Sequence, residues 1–303
     1  MVLLSGGVGG ARLARGLAAV LGPGEPTIVV NVGDDETVHG VHVSPDLDTV
    51  VYTLAGVEGP EGWGLRADQF TVMEHLAALG ADTRFRLGDR DLATNLLRTE
   101  ALAAGRPLSA VTARIAAAFA VTATVMPATD DRLRTRVRTP GGEWLDFQEY
   151  FVLRGHRDPV AEVRFDGAGD AVPAPGVAEA VAAADLVVIA PSNPPLSVWP
   201  VLAVPGLRAA VAKAPRVIAV SPLFAGRALK GPADRVMDGI GLPPGNAGVI
   251  AAYDGLLTDL VVDRGDGADV ALAGEGLAVH VLDTRIAEPA AAARFATALL
   301  ELP

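Results

Sequence analysis

No cysteine occurs among the 303 residues. That excludes disulfides, thiolate catalysis and cysteine-held zinc or iron–sulfur sites, and it fits a cytoplasmic enzyme. Aromatic residues make up 5% of the chain against 50% hydrophobic. The core is therefore aliphatic, as in sheets buried on both faces. The net charge is −11, with no block of Lys or Arg; a nucleic-acid groove needs clustered cations to displace phosphate counterions, so no nucleic-acid partner is expected. No apolar run reaches the length of a bilayer span. Met1-Val2-Leu3-Leu4 runs straight into glycines, without a basic leader or a long apolar stretch, so neither a membrane helix nor a signal peptide is predicted. The five histidines (His39, His42, His75, His156, His280) show no zinc spacing, and no Gly-x-Ser-x-Gly elbow supports serine hydrolysis.

What is present has an α/β rhythm. Val2–Leu4 reads as a buried strand and Ser5-Gly6-Gly7-Val8-Gly9-Gly10 as a turn. Ala11–Leu21 reads as a helix with Leu13, Leu17, Val20 and Leu21 on one face, and Thr27–Asn31 as a second strand. Helical spacing follows at Val50–Leu54, Phe70–Leu79, Leu92–Ala103 and Leu108–Phe119, then strand-like runs at Thr122–Met126, Arg134–Arg138, Glu143–Phe147 and Ala161–Phe165. The α/β rhythm resumes with strands at Asp185–Ala190, Arg216–Val220, Asp259–Asp263 and Ala278–Asp283, and a last helix at Pro289–Leu300. The reading is a single α/β domain, a doubly wound, mostly parallel Rossmann-like sheet. Residues 1–50 and 176–303 build its core, and residues 51–175 form a helical and partly β insertion. Ligands of such sheets sit beyond the carboxyl ends of the strands, so the segments after strands carry the candidates.

The glycine turn lies between a strand and a helix, where Gly6, Gly7, Gly9 and Gly10 let a phosphate approach backbone amides. It is not a Walker A loop. Nor is it a dinucleotide fingerprint, since Asn31 stands where an acid is expected. Asp34, Asp35, Asp46 and Asp48 follow the second strand. Carboxylates so clustered suit a divalent metal, or hydroxyl and ring-nitrogen groups of a ligand. Asp35, Asp46 and Asp48 are the candidate magnesium ligands, and Asp48 and Asp35 the candidate catalytic groups. Asp46 and Asp48, two residues apart, point the same way if the backbone is extended. Asp48 or Thr49 as cap of a helix at Val50 is the plainer alternative. In Leu87-Gly88-Asp89-Arg90-Asp91, Asp91 is a natural N-cap, whereas Arg90 suits an anionic or planar ligand. Ser192-Asn193 and Ser221-Pro222, in proline-fixed loops after two strands, read as a nucleotide base or ribose pocket.

These strings occur in the same order in one family. The glycine turn, Asn31 to Asp35, Ser44-Pro45-Asp46-Leu47-Asp48-Thr49, Leu87-Gly88-Asp89-Arg90-Asp91, Thr129-Asp130-Asp131, Pro191-Ser192-Asn193-Pro194 and Val220-Ser221-Pro222 resemble the 2-phospho-L-lactate transferase family of coenzyme F-420 biosynthesis. The resemblance implies that a guanylyl-linked three-carbon phosphoacid meets the deazaflavin alcohol FO. The ribityl hydroxyl attacks the phosphorus carrying the acid, and GMP leaves. It places a deazaflavin contact at Asp48 and Arg90, with Asp48 binding the hydroxyl or accepting its proton. It implies magnesium at the acidic loop and a homodimer. It leaves the donor open among 2-phospholactyl, phosphoenolpyruvyl and phosphoglyceryl groups; an Ala-, Arg- and Gly-rich composition favours the second. A related branch, nucleotide-sugar-binding metabolic regulators without turnover, is the alternative. Its members carry Asp-Asp-Gly-Gly-Ser-Ser-Gly where this chain has Asp34-Asp35-Glu36-Thr37-Val38-His39-Gly40. An NAD(P)-dependent oxidoreductase is the third reading, and Asn31 speaks against it.

Overall fold

The computed structural model describes residues 1–303. Seven strands form its centre: β1 (Val2–Ser5), β2 (Gly24–Val30), β3 (Ala123–Pro127), β4 (Leu186–Ile189), β5 (Arg216–Val220), β6 (Asp259–Asp263) and β7 (Ala278–Leu282). Their order across the sheet is β7-β6-β5-β4-β1-β2-β3, and every pairing is parallel. All four residues of β1 are buried. Layers cover both faces there, which is why the strand reads as an unbroken apolar run. The chain winds outward from β1 to β3, then returns to β4 on the other side of β1. The gap between β1 and β4 is thus the switch point of a doubly wound sheet, the place where such sheets bind their ligands.

α1 (Gly7–Leu21) crosses from β1 to β2. Its buried face is Leu13 and Leu17 with Gly10, Ala11, Ala14 and Gly16; Val20 and Leu21, expected on that face, are exposed. The small residues admit close neighbours. A Cβ on Gly16 would stand 2.4 Å from the carbonyl oxygen of Ala292, in the C-terminal helix Pro289–Leu300. Between β2 and β3 lie α2 (Pro45–Leu54), α3 (Thr71–Ala78), α4 (Asp89–Ala103) and α5 (Leu108–Ala118). A short hairpin, Glu36–Val38 with Val41–Val43, precedes them. Its two-residue turn has positive φ at both His39 and Gly40, the demand of a type I′ connection. After β3, strands Arg134–Arg138, Trp144–Asp146 and Glu162–Asp166 make a separate antiparallel sheet.

Two expectations change. Residues 51–175 are not one insertion, because Ala123–Pro127 is the edge strand of the central sheet, paired with β2. Helical and β excursions flank it instead. α2 begins at Pro45, not Val50: proline is pre-organised for the first turn of a helix. No helix is long and apolar enough to cross a membrane.

Candidate functional site

The glycine turn follows β1 and lies at the β1/β4 switch point. Gly7 has φ +62° with open space about its Cα, while Gly9 and Gly10 are pressed against neighbours. A Cβ on Gly9 would lie 2.2 Å from the carbonyl oxygen of Pro191, and one on Gly10 would lie 2.3 Å from Ser5 Oγ. These two glycines therefore let the loop after β4 close on the start of α1. Ser192 Oγ seals the contact by donating to the Gly6 carbonyl at 2.6 Å.

The acids after β2 reach the same place. Gly7 N–H donates to Asp46 Oδ1 at 2.6 Å, and Asn31 Nδ2 to Asp46 Oδ2 at 2.9 Å. Asn31 Nδ2 also donates to Asp34 Oδ1 at 3.0 Å, and Asn31 Oδ1 accepts from Gly33 N–H at 2.7 Å. Asn31 thus organises the loop rather than merely lacking a charge. Asp35 Oδ2 accepts from Ser44 Oγ at 2.7 Å and pairs with His42 Nε2 at 3.0 Å. Its other oxygen, Oδ1, is buried without a partner.

Asp46 and Asp48 do not point the same way. The backbone is helical there, and a two-residue step turns about 200° around a helix. Asp48 faces Arg98 of α4 in a bidentate pair, Nη1 to Oδ2 at 3.1 Å and Nη2 to Oδ1. Both residues are buried, and Arg98 is only 1% exposed. Asn95 Oδ1 accepts from Arg98 Nη1 at 2.6 Å. Asp48 therefore caps nothing; it lies inside α2 and anchors it to α4. Sequence reasoning missed Arg98. The available signal was Asp91, Asn95 and Arg98 at i, i+4 and i+7, a polar stripe along one helix face.

The Asp89–Asp91 string does other work than expected. Asp68 supplies the cap of α4, accepting from Arg90 N–H and Asp91 N–H at 3.0 Å each. Asp91 instead accepts from Tyr52 OH at 2.8 Å. Asp89 accepts the first amides of α3, from Thr71 at 3.1 Å and Val72 at 3.0 Å. The Arg90 side chain is 59% exposed, with Nε 3.7 Å from Asp68 and Nη2 donating to the Arg66 carbonyl.

Burial dominates the electrostatics. It pushes the Asp34 carboxyl well above the usual range, and the neighbouring charges of Asp46 and Asp35 add to the effect. It raises Asp46 to about 6 against hydrogen bonds from Asn31 and Gly7. It raises Asp91 to about 7, with the Asp48 charge adding. Asp48 is also raised by burial, with Arg98 acting against it. Each of these acids is thereby favoured in its protonated form, with Arg98 the cation that opposes this at Asp48.

No three His, Cys, Asp or Glu side chains form a ready-made metal site. Both oxygens of Asp46 and both of Asp48 are engaged. Of the three expected ligands only Asp35 presents a free buried oxygen. That fits magnesium, which often takes one or two protein carboxylates and completes its shell with water and substrate phosphate.

The remaining candidates divide. Asn193 Oδ1 accepts from Leu196 N–H at 3.3 Å, whereas its Nδ2 is buried and unpartnered in the loop after β4. Ser221 is buried; its hydroxyl donates to Asn246 and accepts from Leu223 N–H at 3.1 Å. It shapes the turn at Pro222, which borders the end of β5. A cleft of about 560 Å³ opens nearby, lined by Gly226, Asn246, Asp266 and Asp269. It lies apart from the acid cluster, and Asp266 already accepts the amides of Ala225 and Gly226 at 2.9 and 2.7 Å.

Known proteins resemble this chain in fold and in sequence. A solved protein of the UPF0052 family from Bacillus halodurans is similar in fold, with TM-score 0.65 at 19% identity over 99% of both chains. A phosphoenolpyruvate transferase from Streptomyces griseus is 42% identical over 99% of this chain and 98% of its own length. Those of Mycolicibacterium smegmatis and Thermobifida fusca are 40% and 39% identical over the whole chain, covering 98% and 97% of their own lengths. The family model described as 2-phospho-L-lactate transferase CofD matches residues 1–292. The chain therefore belongs to the 2-phospho-L-lactate transferase family, enzymes that move a phosphorylated three-carbon acid in coenzyme F-420 biosynthesis.

Proposed function

We propose that this enzyme transfers a phosphoenolpyruvyl or 2-phospholactyl group from a guanosine diphosphate-linked donor to the terminal ribityl hydroxyl of the deazaflavin FO, releasing GMP. The relatives named phosphoenolpyruvate transferase favour the first donor. The observation that carries the reading is the meeting of the glycine turn with buried carboxylates at the switch point. Asp46 reaches the Gly7 amide at 2.6 Å, and Asp35 keeps an unpartnered buried oxygen.

Displacement at phosphorus asks mainly for positioning and charge neutralisation. Asp35 would hold magnesium, which supplies neutralisation of the diphosphate and of the leaving GMP. Gly6, Gly7, Gly9 and Gly10 frame the phosphates, and Ser192 and Asn193 face the nucleoside. Asn193 Nδ2, buried without a partner, donates to it. Asp48 receives the ribityl hydroxyl. Arg98 fixes both of its oxygens in place, and each oxygen keeps a lone pair for a further donor. Arg90, the exposed cation at the start of α4, meets the deazaflavin. Assembly as a homodimer in the cytoplasm belongs to the same proposal, and sedimentation of the purified protein tests the assembly.

The deciding experiment incubates the protein with FO, magnesium and each guanylyl donor, and measures GMP. Release of GMP only when FO is present is the expected outcome. UDP-sugar binding with no GMP from any donor would establish the regulator reading instead.

A further inference from the structure

The loop Glu58–Leu65 is closed by a bridge between its ends and by Gly59 N–H donating to the Gly64 carbonyl at 2.9 Å. It is pinned at three points. Arg15 of α1 holds Glu58 at 2.6 Å. Gly62, at φ +96°, lies so close to Val8 that a Cβ would stand 2.5 Å from Val8 Cγ1. Glu61 pairs with Lys230, from the segment after β5, at 3.0 Å. One contact reaches the glycine turn itself, since Val8 stands between Gly7 and Gly9. On its other flank the loop runs into Arg66, whose carbonyl receives Arg90.

This pinned loop carries an indole into solvent. Trp63 is 54% exposed, in a chain with only three tryptophans. The other two are occupied: Trp199 Nε1 donates to the Ala252 carbonyl at 2.8 Å, and Arg164 lies 4.3 Å from the Trp144 ring centroid. Near Trp63 lies Lys230, with Nζ 6.0 Å from the ring centroid. Tryptophan is highly buried on average, so an indole held half exposed on a pinned loop offers a face for contact.

The geometry points to Trp63 as a stacking platform for the flat fused ring of the acceptor. This rests on the reading that the acceptor is a deazaflavin. The loop spans the interval between the glycine turn, to which the proposed function gives the phosphates, and Arg90. A ribityl chain reaching toward the glycine turn leaves its ring in that interval. Aromatic stacking of a heterocycle on an indole is worth enough to set affinity, and a contact made to the ring leaves the groups at the phosphorus untouched. Trp63 therefore governs binding of the acceptor, not turnover once it is bound.

The test compares wild type, Trp63→Phe and Trp63→Leu in steady-state GMP release with FO varied, alongside FO binding and thermal midpoints. Trp63→Leu is expected to raise KM for FO about 10-fold or more. It should keep kcat and the donor KM within about 2-fold, while Trp63→Phe restores most of the affinity. The midpoints of both variants should match wild type, because the ring is exposed. Turnover by wild type with an unchanged FO KM in Trp63→Leu overturns the inference alone. A Trp63→Leu protein with lowered kcat and unchanged FO affinity does the same. A wild-type protein that neither binds FO nor releases GMP overturns the functional reading, and this inference falls with it.

Discussion

Replacing Arg98 by Met leaves Asp48 buried with no cation. The wild-type pair forms two charge-assisted bonds, one at 3.1 Å, between two buried side chains. An unpaired buried carboxylate escapes by taking up a proton. In the unfolded chain its pKa is near 3.9, so holding it protonated at pH 7 costs at most ~4 kcal/mol, from 1.36 kcal/mol per pH unit. This agrees with the 3–5 kcal/mol typical of breaking a buried pair from one side. Unfolding entropy of about 2.1 cal/mol/K per residue over 303 residues converts ~4 kcal/mol into a midpoint drop of about 6 °C. The sign with pH follows. In the variant the folded state binds one proton more than the unfolded state, so its stability relative to wild type falls as pH rises. At pH 5 the same reckoning leaves only about 1.5 kcal/mol. Thermal and urea unfolding at pH 5 and pH 7 read both numbers. The double variant Asp48→Asn/Arg98→Met, with both charges gone, should recover at least half of the loss. A midpoint within 1 °C of wild type at pH 7, or a deficit equal at both pH values, would refute the ion-pair account.

Other outcomes are equally open to measurement. Asp48→Asn should lower GMP release by roughly 100-fold or more in protein that remains folded at the assay temperature, as for a lost charge-stabilising or basic group; near-normal turnover removes Asp48 from the chemistry. Activity should vanish in excess chelator and return with magnesium, and Asp35→Asn should raise the magnesium concentration needed; full turnover of metal-free protein contradicts both. Burial pushes the Asp259 carboxyl up, but hydrogen bonds from Arg216, Thr258 and His280 outweigh it and hold it at about 2. Its contribution is therefore full above about pH 5 and lost as pH falls through about 2, so Asp259→Asn should be less stable than wild type at pH 7 and level with it in strong acid. Gly16→Ala, whose methyl meets the Ala292 carbonyl, should cost about 1–3 kcal/mol by overpacking; an unchanged urea midpoint would show that the helix contact yields.

The sheet was legible where the pattern is local. A short apolar strand, a glycine turn, a helix and a β-branched strand identified β1, α1 and β2 within thirty residues, and the late strands were equally plain. What escaped depended on distant partners. Ala123–Pro127 looks like any short strand, and only its pairing with β2 makes it part of the central sheet. Asp48 was visible as an acid in a suggestive string, yet its partner lies fifty residues on. Asp91 had the sequence look of a cap, but Asp68, from another loop, reaches the amides first. Capping propensity ranks residues without saying which one the fold brings near.

α1 is held by its glycines against three separate neighbours: Pro191, Ser5 and Ala292. None of these contacts leaves room for a methyl group, so the helix has no slack along or around its axis. It behaves as an anvil. Whatever moves when ligands arrive and depart must belong to the outer segments, and the amides of α1 should be among the last to exchange with deuterated solvent. If α1 walls the donor site as proposed, it cannot adjust to a differently sized diphosphate, and exchanging the donor for a longer one should cost binding rather than shift the helix.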